Sequence, residues 1–460
     1  MEETAVREEN KMGVMPVNKL LITMSLPMMI SMLVQALYNI VDSIFVSRIC
    51  ENALTAVSLA FPLQTLMIAI AGGTGVGINA ILSKSLGEHD FDKANKTASN
   101  GIFLSLLSYI LFLIIGLTCV GPYYRSLSDD PEIVEFGIQY MTIVCTCSFG
   151  IFGQFIFERL LTSTGRTFYT MITQGTGAII NIIFDPIFIF GLLGAPKMGV
   201  AGAAVATVLG QIVAAVMAFI MNIKKNPDIK LSMKGYRPDG KLIGEIYKIA
   251  VPSIIMQSIG SVMNYIMNQI LMGFSSTATA VFGVYYKLQS FIFMPIFGLN
   301  NGMVPIVAFN YGARSRDRMM KAWKYSWIYA TVIMFVGTLA FELIPGFLLG
   351  FFNASETMLE IGIPALRIIG VHFPVAAFCI ITGSVFQALG KSTYSMVTSI
   401  MRQVVVLLPA AYLLSLLGNV DYVWWSFPIA EVMSAAATTF YFVRIYKKII
   451  SKIPLNGDKE

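Results

Sequence analysis

The chain has little charge, few histidines and no ordered set of cysteines. Charged residues fill only 13% of its 460 positions. A soluble protein of this length needs more charge to cover its surface and would normally split its core into domains, so a water-soluble enzyme is disfavoured at once. The two histidines, His89 and His372, lie too far apart to suggest a metal site. The five cysteines, Cys50, Cys119, Cys145, Cys147 and Cys379, are odd in number and scattered. They imply no disulfide framework, and Cys145-Thr-Cys147 is neither a redox motif nor a zinc pair. No GxxxxGK[ST] loop occurs, so no nucleotide energises the protein. No converging nucleophiles suggest an enzyme, and no cofactor is expected. The amino terminus, MEETAVREENKMG, is polar and acidic and lacks the basic start of a secretory signal, so it reads as retained.

What the chain does have is apolar length. Hydrophobic residues make up 56% of it. The runs predict twelve helices, at about 20–46, 54–80, 97–120, 133–156, 167–192, 198–222, 246–272, 279–305, 323–345, 358–384, 391–416 and 422–444. Each can cross roughly 30 Å of hydrocarbon at about 1.5 Å per residue. The expected fold is therefore all-α and membrane-embedded. Of the 32 basic residues, 26 fall in the termini and loops on one side, among them Arg7, Arg159 and Lys234, while Arg48, Arg125 and Lys197 lie on the other. That asymmetry predicts both termini in the cytoplasm. A basic rim beside anionic lipid accounts for the net charge of +6 without nucleic acid.

The sequence also repeats itself. Gly87 and Gly312, each opening a polar segment, are 225 residues apart. The same offset relates Glu135 and Gly137 to Glu360 and Gly362, and Gly165 to Gly390. Two copies of one helical unit predict an amino-terminal lobe (1–222), a cytoplasmic linker (223–245) and a carboxy-terminal lobe (246–460). Membrane proteins built this way commonly transport by rocking one repeat against the other. The linker ends in GEIYKIA, read as a short amphipathic helix on the membrane surface.

The copies diverge at two acids. Asp42 and Asp185 lie inside apolar runs, where a lone carboxylate costs roughly 2.5 to 3.5 kcal/mol at mid-span. Their counterparts at the same offset are Met267 (or Ile266) and Ala410. Gln35, Asn39 and Asp42 share a helix face, as do Asn181 and Asp185. Pro186 follows directly and is expected to bend its helix. Two carboxylates facing one lumen repel, and taking up a proton relieves that repulsion. The same oxygens, joined by Asn181 and a hydroxyl such as Thr207, can instead hold Na⁺. The residues alone leave both options open, beside a purely structural role.

In the second half, Lys287, Arg367, Arg402 and Glu431 fall inside predicted spans, with Glu431 placed to offset Lys287 or Arg402. The 27 methionines include Met29, Met32, Met67, Met256, Met263, Met267 and Met294 within spans. Most read as packing. Met67 and Met256, with Phe155, Gln35, Asn39, Asn264, Lys287 and Arg402, are candidates to line a cavity for varied ligands.

Several segments carry a resemblance. They are SLPMMISMLVQALYNIVDSIFVSRI, GTGVGINAILSKSLGEHD, LTSTGRTFYTMI, NIIFDPIFIFG, GVAGAAVATVLGQ, VPIVAFNYGARSRDRM and FQALGKSTYSMVTSIMRQ. Together they resemble the multidrug and toxic compound extrusion (MATE) transporters, bacterial multidrug exporter branch, over about residues 18 to 446. The resemblance implies two six-helix lobes forming a V. It implies export of small cationic or amphipathic molecules across the bacterial inner membrane, driven by inward H⁺ or Na⁺, by a monomer whose other partners are lipids. It carries the ion site to Asp42, Asn181, Asp185 and Thr207, with Gln35 nearby. The acidic second-lobe site of other branches has no mid-span match here in helices 7 and 10, which places coupling in the first lobe and favours H⁺. A flippase for a lipid-linked saccharide is the alternative, on the strength of Lys287, Arg367 and Arg402.

Overall fold

The computed structural model describes residues 9–232, 236–352 and 354–454. Arg7, Lys234 and Lys459, counted above in the charge asymmetry, lie outside them. The described residues form twelve long helical rods. These are α1 (Val17–Ser47), α2 (Glu51–Gly87), α3 (Phe91–Thr118), α4 (Pro131–Thr146 with Phe149–Ser163), α5 (Thr167–Phe190), α6 (Val200–Lys225), α7 (Gly240–Met272), α8 (Ser276–Gly312), α9 (Arg316–Leu343), α10 (Glu356–Gly370 with Phe373–Ala388), α11 (Ser392–Ser415) and α12 (Ser426–Lys448). Nine single helices and the two bent pairs are long and apolar enough to span a bilayer. The twelfth rod, α12, is less apolar and packs against α10 and α11.

Local chemistry sets the helix starts. Asp90, Asp130, Asp239, Ser275 and Ser355 each cap a first turn by accepting a backbone N–H. Prolines 27, 62, 252, 295 and 305 sit inside continuous helices, as close-packed membrane helices tolerate. Direction breaks elsewhere, by 43° within α4 and 49° within α10. These two bends fall within one residue of the 225-residue offset, at 147–148 and 371–372.

The repeat persists down to backbone detail. His89 and Arg314 both adopt left-handed φ, at 60° and 52°. Gly165 and Gly390 do the same at 85° and 71°. Asp90 N donates to Ser85 O, and Ser315 N to Asn310 O, each at 2.9 Å. Gly137 abuts Tyr124, and Gly362 abuts Leu349, again at the same offset.

The lobes meet where α1 and α2 pack on α7 and α8. The seam is tightest at the basic end. A Cβ on Gly87 would lie 1.9 Å from Phe309 O, and one on Gly312 would lie 2.1 Å from Lys84 O. Each glycine thus touches the repeat counterpart of the other's partner, and only glycine allows that approach. Gly298 and Gly302 press on Met29 and Ser25, and Gly73 and Gly77 on Ile254 and Ile246. The amino-terminal segment crosses the seam on the same side. Asn10 Nδ2 donates to Thr164 O at 3.1 Å, while Arg318 Nη2 donates to Met12 O and Met15 O at 2.9 and 2.7 Å. Further along α1, Leu37, Ile40 and Ile44 are exposed, as are Tyr265 and Ile266 on α7. The V is therefore closed at its basic end and parted at the other.

Helix ends differ from expectation in two informative places. α7 begins at Gly240, so GEIYKIA forms its first turns and is not a separate surface helix. The connection between lobes is correspondingly short, and it docks on α3 through Lys230 N and Tyr236 Oη, each bonded at 2.7 Å to Asn95 and Asn100. α4 continues to Ser163. Arg159 therefore belongs to a helix, where the sequence alone suggested a cytoplasmic loop.

Candidate functional site

Close contact between α5 and α6 builds the first-lobe site. A Cβ on Gly210 would lie 2.5 Å from Gly177 O, and the reverse distance is 3.0 Å. This small-on-small crossing, a common way to bring membrane helices together, lets Asn181 reach Thr207. Asn181 Nδ2 lies 3.2 Å from Thr207 Oγ1 and 3.4 Å from Asp185 Oδ1. The amide orientation that satisfies both neighbours has the nitrogen donating to Asp185 Oδ2 at 3.3 Å and the oxygen accepting from Thr207 Oγ1 at 3.2 Å.

Asp185 is fully buried. It adjoins Asp42 of α1 closely enough for the two carboxyl groups to share a proton. Asp42 Oδ1 is enclosed and has no hydrogen-bond partner. Tyr38, one turn before Asp42, faces both acids, and Tyr140 of α4 stands near Asp42 and accepts from Gln64 Nε2 at 3.1 Å. α5 runs as one helix through Pro186. The anticipated bend is not a break in that helix, although the proline still deprives Ile182 O of its donor.

Beside this pair lies a cavity lined by α1, α2, α4, α5, α6 and, from the other lobe, Asn301 of α8. Gln35, Phe155, Asn181 and Thr207 line it, together with Met28, Met32 and Tyr38. Asp42 and Asp185 do not reach its wall. Their neighbours Asn181 and Tyr38 do line it, and Asp42, unlike Asp185, is only half-buried. Asn39 is exposed and outside the cavity. It lies about 40° around the helix from Gln35, on the far side from Tyr38. Met67 is only 1% exposed, packed in the first-lobe core.

Two charged residues of the cavity wall went unrecognised in the sequence. Glu158 is buried and accepts from Thr173 Oγ1, Gln174 Nε2 and Gln154 Nε2 at 2.9, 2.8 and 3.1 Å. Arg159 beside it donates from Nη1 to Asn301 Oδ1 at 3.1 Å, across the seam. Both lie just past the predicted end of the fourth span, which hid them.

The second-lobe candidates do not assemble into this cavity. Met256 accepts from Gln387 Nε2 at 3.8 Å, and Asn264 is half-buried on α7. Lys287 is exposed, with its ammonium 5.9 Å from the Phe352 ring centre. Arg367 donates to Glu342 O at 3.2 Å. Arg402 pairs with Glu431 at 3.2 Å, so Glu431 offsets Arg402 and not Lys287. Among the described residues, no group of three or more His, Cys, Asp or Glu side chains is placed to hold a metal ion.

Comparison with known proteins agrees with this architecture. The MatE family model matches residues 27–187 and 252–413, once in each lobe. The multidrug export protein MepA of Staphylococcus aureus strain MRSA252 is 26% identical over 92% of both chains. The protein of the same name from Staphylococcus haemolyticus strain JCSC1435 shows the same identity and coverage. A solved structure described as the outward-facing conformation of a multidrug resistance MATE family transporter superposes with a TM-score of 0.90 at 25% identity, covering 97% of this chain and 99% of that one. With the family model spanning most of both lobes and the fold matched throughout, the chain belongs to the MatE family of membrane transporters.

Proposed function

We propose that the protein is a secondary active multidrug exporter, which exchanges organic cations and amphipathic compounds for protons at Asp42 and Asp185. One observation carries this reading. Two carboxyl groups from different helices adjoin beside a mixed polar and apolar cavity whose wall includes their neighbours Asn181 and Tyr38. A close pair of like charges is relieved by one proton. Methionine and aromatic surface beside it accommodates cations of varied shape.

The proposed cycle begins with the V open away from its basic end. Protonation of the pair weakens its hold on a cationic compound, which leaves. The lobes rock, and the proton departs at the basic end. Placing that end in the cytoplasm follows the charge asymmetry, and bacterial relatives suit a cell-membrane location. For an uncharged amphipathic cargo, a potential of about 100 mV supplies about 2.3 kcal/mol per proton entering, enough for roughly a fifty-fold gradient; a monovalent cation leaving for one proton moves no net charge and is driven by the pH difference alone. The amide of Asn181 favours H⁺ over Na⁺, because it turns a nitrogen toward Asp185 in either orientation. The flippase alternative loses its support, since Lys287, Arg367 and Arg402 are exposed, capped on a carbonyl or neutralised.

The test uses purified protein in liposomes, with pH and Na⁺ gradients imposed separately and ethidium as cargo. A pH gradient alone should drive efflux, and D42N and D185N should each abolish the response. Equal gradient-driven efflux in both variants would overturn the assignment.

A further inference from the structure

A second polar cluster lies in the other lobe, away from the cavity and the acid pair. Glu431 of α12 is buried, with Oε2 3.2 Å from Arg402 Nη1 and 3.7 Å from His372 Nδ1. His372 occupies the 49° bend of α10. Arg402 lies in a π-helical stretch of α11, Met401–Leu407. Widened turns of this kind and kinks concentrate at functional sites.

The cluster is also short of partners. Both ring nitrogens of His372, Glu431 Oε1, Tyr285 Oη, Trp424 Nε1 and Ser426 Oγ are enclosed with no protein hydrogen-bond partner. The ring of Phe427 brings His372 and Tyr285 together, since it stacks on His372 and packs edge-on against Tyr285, with centroids 6.3 and 5.7 Å apart. Ser426 precedes Phe427 in the chain, and Glu431 follows one turn later on α12. Left bare, each such atom costs about 1–3 kcal/mol. The four on His372, Glu431 and Tyr285 offer the two to four polar partners that a buried water needs.

We propose that His372, Glu431 and Arg402 form a hydrated proton-binding site in the second lobe. The proton adds to a free ring nitrogen of His372. No bond other than N–H is made, and the site passes from neutral (Glu431⁻ with Arg402⁺) to a net charge of +1. Glu431 stabilises the imidazolium, and Arg402 fixes the carboxylate that does so. The other titratable groups beside it are Tyr285 of α8 and Cys379 of α10. The site lies at a bend, so its charge biases the angle of α10. A second proton per transport cycle would rest on the antiport reading above, whereas protonation of the site would not.

The sequence makes the test direct, because the chain has only two histidines. His89 is exposed. Full-length H89Q protein labelled with ¹⁵N in the histidine ring gives one imidazole signal, followed by NMR from about pH 8 to about pH 5. The ring should convert reversibly to imidazolium. In E431Q the midpoint should fall by about one pH unit or more, in E431D it should return toward that of the parent, and in D42N it should not move. A ring that stays neutral throughout in the H89Q parent overturns the proposal even if every further variant fails to fold. An unchanged midpoint in folded E431Q overturns it too. If liposomes show no antiport at all, the titration still decides this site independently.

Discussion

Alanine at Gly87 tests whether backbone contact at the seam holds the basic end shut. In the closed arrangement the new Cβ would sit 1.9 Å from Phe309 O, where ordinary contact begins at 3.4 Å. α2 and α8 must therefore separate by about 1.5 Å, and the obstacle is a carbonyl, not a side chain that can rotate away. Overpacking of this kind costs typically 1–3 kcal/mol. Borne by the closed state alone, that shifts the equilibrium toward the state parted at the basic end by about 5- to 150-fold. G312A strikes the mirror contact and should act similarly. The assay is double electron–electron resonance between spin labels at Lys96 and Lys321, both exposed at the basic end of different lobes, in a background without the native cysteines. The parent should give one dominant distance, and G87A and G312A should each add a longer population. Gly175, where a Cβ meets nothing within 4 Å, supplies the control. Unchanged distance distributions in G87A, G312A and the double variant would refute the argument.

Two further outcomes are expected. Arg318→Ala removes charge-assisted bonds to Met12 O, Met15 O and Asn310 Oδ1, each worth about 1.5–3 kcal/mol. Trypsin should then cut at Lys11 at least tenfold faster, and an equal rate would show that the strap is held by something else. Gly210→Ala drives a Cβ against Gly177 O and should lower the thermal midpoint while pulling Thr207 from Asn181, a loss of about 1–3 kcal/mol readable by calorimetry. An unshifted midpoint would mean that the crossing has room to spare.

The helices were legible because runs of twenty or more apolar residues have few alternatives. Their ends were not, because hydropathy marks where lipid stops and not where hydrogen bonding stops. α2 and α8 each run seven residues past their predicted ends, to Gly87 and Gly312. That same effect concealed Glu158 and Arg159. Helical spacing correctly places Gln35 on the cavity face, and it would have picked out Tyr38, four residues before Asp42. It gave no reason to exclude Asn39, whose exposure depends on which neighbours α1 meets. Nor could spacing show Asp42 beside Asp185. That contact follows from the packing of α1 on α5, a property of two helices that neither helix's pattern contains. Met67 shows the opposite difficulty, since a flexible apolar side chain suits a cavity wall and a core equally well.

Every group of the acid site, Asp42, Asn181, Asp185 and Thr207, is rooted in α1, α5 or α6. The site is a passenger carried whole by one half of the molecule. Under the proposed antiport, tilting that half against its companion would leave the distances among these four side chains intact and change only which compartment can reach them. Each bath would then meet the same lock, and the direction of travel would be set by the ion gradient and not by any rebuilding of the cage.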